Sequence, residues 1–255
     1  MIKKIRLVGF ILLFISYSIV HAEDNSTISD RPGFSTGTDI MKVLWVNISS
    51  GYQYSFSNSG TNNTTQTLPL LNFRFGLVDK LELNILWNGW SIQGGNYQTL
   101  NSSLSDLSIG LKHRFYESQA YNLGVLALVS LPVGNNTSTS NNIDPTLAFL
   151  WDYSLSKGVS LFGMVQGDSS KLNDKRIYNI QPALGTSFSF NKASFFVEVY
   201  SLISSESEIK TQAVFDGGIS YLFGRDTKID MNFGIGLNKA SDNFFGVGFV
   251  KQFSF

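Results

Sequence analysis

Ile229-Asp230-Met231-Asn232-Phe233-Gly234-Ile235-Gly236-Leu237-Asn238 alternates without a fault: odd positions are large and apolar, even positions are polar or glycine. Successive side chains of a β-strand point to opposite faces, so this run has one apolar face and one polar or bare face. The same period of two recurs in twelve segments, near residues 43–56, 67–77, 80–91, 105–116, 121–133, 145–155, 159–167, 177–190, 192–203, 211–223, 227–238 and 243–255. Their apolar faces include Leu81/Leu83/Ile85/Trp87, Leu107/Ile109/Leu111/Phe115 and Phe245/Val247/Phe249/Phe253/Phe255. A sustained 3.6-residue period, the mark of amphipathic helices, is not found.

The links between these segments alternate in length. Polar loops such as 57–66, 92–104 and 134–144 follow odd-numbered segments, and turns as tight as Val78-Asp79, Ser156-Lys157 or Asn191 follow even-numbered ones. Segments of about 11 residues at ~3.3 Å each, tilted by about 40°, rise roughly 28 Å, which matches an apolar band of ~25 Å. In hydrocarbon every backbone N–H and C=O must pair within the protein, so a membrane-spanning sheet must close on itself. The expected fold is therefore all-β: a single closed antiparallel transmembrane β-barrel of about 12 strands in an up-and-down meander, with both termini at the short-turn, periplasmic end of the outer membrane.

Aromatic placement agrees. The last outward positions of the descending strands are Phe73/Phe75, Phe115, Trp151/Tyr153, Phe188/Phe190, Tyr221/Phe223 and Phe253/Phe255, which form a girdle at one interface. Lys251 falls on the lipid face, four residues from the terminus, where its stem reaches toward headgroups. Pro182 lies inside a strand and suggests a bulge, whereas Pro69 lies near a strand start.

Composition narrows the function. The 255 residues balance 19 Lys+Arg with 19 Asp+Glu, only 15% are charged, and 14% are aromatic. There is no Cys, which removes thiolate metal sites and cysteine nucleophiles. The absence of a basic excess argues against nucleic acid as a partner. Residues 1–22 read as a secretory signal peptide: basic Met1–Arg6, apolar Leu7–Val20, and a Val20-His21-Ala22 cleavage site. Residues 23–42 then form a periplasmic N-terminal segment, and 43–255 the outer-membrane barrel.

The inward parity lists the candidate lumen: Arg74, Glu82, Asp106, Lys112, Arg114, Asp152, Glu198, Asp216, Lys228 and Asp230, which should pair with one another. Gly76, Gly110, Gly185, Gly234, Gly236, Gly246 and Gly248 share that face, leaving room or letting a plug approach the wall. Inward apolar residues are Trp90, Leu126, Leu128, Leu150, Phe162, Met164, Phe196 and Tyr200. They read either as an apolar stripe that passes amphipathic molecules or as packed filler. His113, the only histidine after residue 22, shares the outward parity of Leu111 and Phe115 and so faces lipid; Ser–His–acid chemistry, which needs a histidine beside a nucleophile, is not expected. No metal ligand cluster or phosphate loop stands in the sequence, and no cofactor is expected.

Several short runs resemble a known family. Asp30-Arg31-Pro32-Gly33-Phe34 is similar to an Asp-Arg-Pro-Asp-Phe start, with Gly33 in place of the acid. The run from Asp106 to Phe115, DLSIGLKHRF, is similar to Asp-Leu-x-Ile-Gly-x-Lys-Tyr-Arg-Phe, with His113 replacing Tyr. Leu131-Pro132-Val133-Gly134 resembles a Leu-Pro-Thr-Gly strand end, and Asp216-Gly217-Gly218, Asp230 and Asp242 match a C-terminal Asp/Gly pattern. From Asp30 to Phe255 the chain thus resembles the outer-membrane "transporter" family of the meta-pathway of phenol degradation. That resemblance implies a membrane barrel with a transport role. The expected function is a passive channel for small solutes, aromatic or hydrophobic ones among them; the alternative is a non-transporting structural or surface-contact barrel. Expected partners are outer-membrane lipids, a small-molecule solute and the barrel assembly machinery, which would meet the C-terminal Phe255.

Overall fold

A computed structural model describes residue 28 and residues 33–60, 62–95, 101–135, 138–172 and 175–255. The signal-peptide reading of 1–22 lies outside the described residues, as do Asp30, Arg31 and Pro32. Every element is a β-strand: β1 (Val46–Phe56), β2 (Thr64–Leu68), β3 (Leu71–Val78), β4 (Leu81–Trp87), β5 (Trp90–Gly94), β6 (Asn101–Leu104), β7 (Leu107–Glu117) and β8 (Tyr121–Leu131). They continue with β9 (Asp144–Ser156), β10 (Val159–Leu172), β11 (Lys175–Phe190), β12 (Ala193–Ser204), β13 (Gln212–Phe223), β14 (Thr227–Gly236) and β15 (Asn243–Phe253).

These fifteen strands make twelve staves. One edge of β1 pairs with β3 over Val46–Ser49 and with β2 over Gln53–Phe56, so β2 and β3 are two halves of one stave. In the same way β4 and β5 share a stave, as do β6 and β7. All pairings between strands are antiparallel, sequence neighbours sit side by side, and β15 pairs with β1 along its whole length, from Val46↔Phe253 to Phe56↔Asn243. The barrel thus closes through β15 and β1, and only the short β6, paired with β5 alone, ends the sheet; closure is the condition that hydrocarbon imposes.

The three interruptions fall in one row, at Pro69-Leu70, Asn88-Gly89 and Ser105-Asp106. Each shifts the alternation by one residue, and a slip of one exchanges the two faces. Thr67, Ser91 and Ser105 consequently line the interior with Asn72 and Leu86, while Leu68, Trp90 and Leu104 form the opposite cross-strand row. Trp90, expected inside, is 49% exposed and meets Trp87 edge-on at 5.4 Å between ring centroids. Gly89 makes the break possible: its φ is +53° and a Cβ would lie 2.4 Å from the Leu68 carbonyl oxygen. Pro182 introduces no bulge. The β11–β12 ladder omits Gln181 and Pro182 and resumes in the same register at Ala183↔Tyr200. The expected loop near 168–176 is largely strand, with Asp168↔Asn179 through Leu172↔Lys175 paired.

Elsewhere the alternation holds. In β14, Ile229, Met231, Phe233 and Ile235 are exposed on the outside, and Lys228, Asp230 and Asn232 are buried on the inside. The interior carries a packed apolar cluster of Leu126, Ala148, Leu150, Met164, Ala183, Tyr200 and Val214, with Phe34, Leu128, Leu202 and Phe244 against it.

Candidate functional site

Besides the packed apolar cluster, the lumen holds the residues before β1 and a cavity beside them. Residues 33–42 run inside the wall, although the sequence places them in the periplasm ahead of the barrel. The path begins at the short-turn end, where Leu44 N–H donates to the Gly76 carbonyl at 2.9 Å and Val43 bridges Gly76 in parallel. Gly76 permits the approach, since a Cβ there would lie 1.9 Å from the Lys42 carbonyl oxygen. Higher up, Met41 N–H donates to Glu82 Oε2 at 2.7 Å, Arg74 donates to the Asp39 carbonyl at 2.8 Å, and Lys112 Nζ donates to the Gly37 carbonyl at 3.2 Å. Thr38 Oγ1 donates to Asp152. At mid-height Phe34 N–H donates to Glu198 Oε2 at 2.9 Å, Ser35 donates to the same carboxylate through N–H and Oγ, and the Phe34 ring stacks on Tyr200 at 4.0 Å.

Five of the inward ions, Arg74, Glu82, Lys112, Asp152 and Glu198, therefore hold the segment or one another. Glu82 is completely buried between Arg74 (2.8 Å) and Lys112 (3.2 Å), and Arg74 also reaches Asp39 Oδ2 at 2.9 Å. Buried charges persist when they are paired and their remaining hydrogen-bonding capacity is used, and here both conditions are met. Asp152 also accepts from Asn122 at 2.8 Å. Arg114, beside a register shift in β7, turns to Glu117 at 3.0 Å. Asp106 accepts the Gly134 N–H at 2.9 Å and ties the loop after β8 to the interruption at Ser105-Asp106. Asp230 lies against Gly248, and Lys228 is buried on the same strand.

Of the apolar candidates, Phe162 covers Gly185, Phe196 covers Gly218 and abuts Gly33, and Met164 and Tyr200 belong to the packed cluster. The stripe is thus filler rather than open surface: Leu126, Leu150 and Met164 are at most 3% exposed. His113 is exposed, with Nδ1 2.9 Å from the Lys80 carbonyl oxygen.

The open space lies beside this cluster, a cavity of about 680 Å³ that shares Phe34, Tyr200 and Phe244 with it. Ser49, Gln53, Thr67, Asn72, Ser91 and Asn232 give it polar walls, and Phe34, Tyr200 and Phe244 give it rings. Of the predicted site residues, only Tyr200 and Asp216 border it among the described residues. Sequence reasoning missed the segment at 33–42. The signal that could have found it was the excess of inward carboxylates together with inward glycines, which leave acceptors and space for a backbone.

The family model described as "Putative MetA-pathway of phenol degradation" matches residues 29–253. The chain belongs to this family. The family motifs meet in space: Asp106 of one holds Gly134 of another, and Phe34 of a third lines the same cavity as Asp216 of a fourth. The departure at Gly33 also has a physical reason. A Cβ there would lie 2.9 Å from Glu198 Oε2, so an aspartate would set a second carboxylate against Glu198. Among solved structures, the chain is similar to an outer-membrane channel from Pseudomonas putida F1, with a TM-score of 0.69 and 13% identity over 88% of this chain and 100% of that one. It is also similar to the NanC porin (TM-score 0.55, 10% identity, 81% and 98% covered). The KdgM porin in complex with disordered oligogalacturonate gives a TM-score of 0.52 at 10% identity, with 81% and 99% covered. These likenesses concern the fold, which is that of outer-membrane β-barrels. No curated protein matches the chain.

Proposed function

We propose that the protein is a passive outer-membrane channel for small solutes of mixed polar and aromatic character. The observation that carries this reading is the cavity of about 680 Å³ inside a sealed wall, lined by uncharged polar side chains, three rings and the single carboxylate of Asp216. A barrel built only for structure has no use for such a space, whereas a permeating molecule needs both hydrogen-bonding partners and apolar contact. The similar solved structures, a channel and two porins, support it. In this reading the short-turn end with both termini faces the periplasm, the outward apolar belt meets lipid, and Phe255, 86% exposed beyond the last strand, is free to meet the assembly machinery. The test is reconstitution of the full-length mature chain. Discrete conductance steps in planar bilayers and swelling of liposomes in small solutes are expected; silence in both would leave a structural barrel.

A further inference from the structure

Among the described residues, Asp216 is an inward carboxylate with both side-chain oxygens buried and neither given a hydrogen-bond donor in good geometry. It faces inward from β13, opposite Glu198 of β12 and Gly234 of β14. Glu198 accepts from Phe34 and Ser35, so its lone pairs are occupied. Asp216 is completely buried, yet neither of its oxygens has a hydrogen-bond partner. It is also the only charged residue lining the cavity among the described residues.

A buried carboxylate without a donor is costly, and a positive charge brought beside it in a poorly solvated site offsets that cost. The surroundings say which kind of cation. Phe34, Tyr200 and Phe244 line the same cavity, and ring faces attract an organic cation while covering its hydrocarbon body. A divalent metal asks instead for several oxygen ligands. Among the described residues no group of three or more His, Cys, Asp or Glu is placed to hold a metal. The cavity volume is in the range that encloses a small organic molecule.

We infer that the lumen carries a transit site for organic ammonium solutes, with the ammonium on Asp216 and the body of the solute against the three rings. This deepens the channel reading and rests on it. Calorimetric titration of the full-length mature barrel in detergent tests it, with benzylammonium, benzyl alcohol and magnesium chloride as titrants. Benzylammonium is expected to bind at least about tenfold more tightly than benzyl alcohol, a difference that one well-placed charge supplies. Asp216→Asn should weaken benzylammonium about tenfold or more, Asp216→Glu should restore much of the loss, and Glu206→Gln, in the loop after β12, should change nothing. Equal binding of benzyl alcohol, undiminished binding by Asp216→Asn, or displacement of benzylammonium by magnesium would each overturn the inference. Should Asp216→Asn fail to fold, the wild-type contrast between amine and alcohol still decides. Binding is read without conduction. Bilayers that stay silent despite ammonium binding would sink the channel reading alone, and conduction without ammonium binding would sink this site alone.

Discussion

Glu82 has two cations and a backbone amide within hydrogen-bond reach and no contact with water. Removing one member of such a buried group leaves the others charged and unmatched, at about 3–5 kcal/mol. Glu82→Gln is therefore expected to lower the stability of the refolded barrel by that order in urea titrations and to expose residues 33–42 to protease; a variant unchanged in both would show that the ion group does not hold the segment. A second carboxylate acts at the rim. Lys251, expected from sequence to reach for the headgroups, bonds the turn residue Asp226 at 2.8 Å. Partial burial raises the Asp226 pKa, but the Lys251 ammonium and the Thr227 hydroxyl outweigh it and hold the carboxyl below its usual range. A group whose folded pKa is depressed stabilises above its unfolded pKa and loses that contribution as pH falls through the folded value. Acidification below the ordinary aspartate range should thus cost the wild type a small stability increment that Asp226→Asn no longer has; parallel pH profiles for the two proteins would contradict it.

At the level of elements, β14 was wholly legible in the sequence. Period two in an unbroken strand has one meaning once a single side is known to face lipid. The same logic failed at Trp90, because parity carries across a strand only when no residue is added or lost. Pro69 was visible as an irregular residue, but Gly89 drew no reading, nothing at Ser105-Asp106 announces a slip, and no local signal states that three slips align. Pro182 shows the converse: an irregular residue that interrupts hydrogen bonding on one side and leaves the register intact. The face assignment gives a paired test. Phe233→Arg places a charge on the outer face, at about 2–4 kcal/mol if near the midplane, whereas Thr67→Arg places it in the cavity. The first should reduce insertion into liposomes and the second should insert normally and alter flux. Equal insertion yields would refute the assignment.

At the scale of the molecule, closure was predictable and contents were not. A period of two reports which side faces out, but it is blind to a non-strand segment lying against the inner face. Residues 33–42 mix glycine, hydroxyls, one acid and two buried apolar side chains, Ile40 and Met41, and match no periodic template. Because β15 and β1 seal the cylinder over eleven residue pairs, the native barrel should resist detergent and migrate differently on gels before and after boiling. Identical mobility would mean that the sheet is not closed.

The position of β1 beside β15 has a consequence for biogenesis. The seam joins the first and last strands, and the ten residues inside the cylinder come shortly before that seam. They need not be pushed through a finished ring: a sheet that curls around them would let Glu82, Asp152 and Glu198 meet their donors before the cylinder closes. The last stave to dock then encloses a strip already in place.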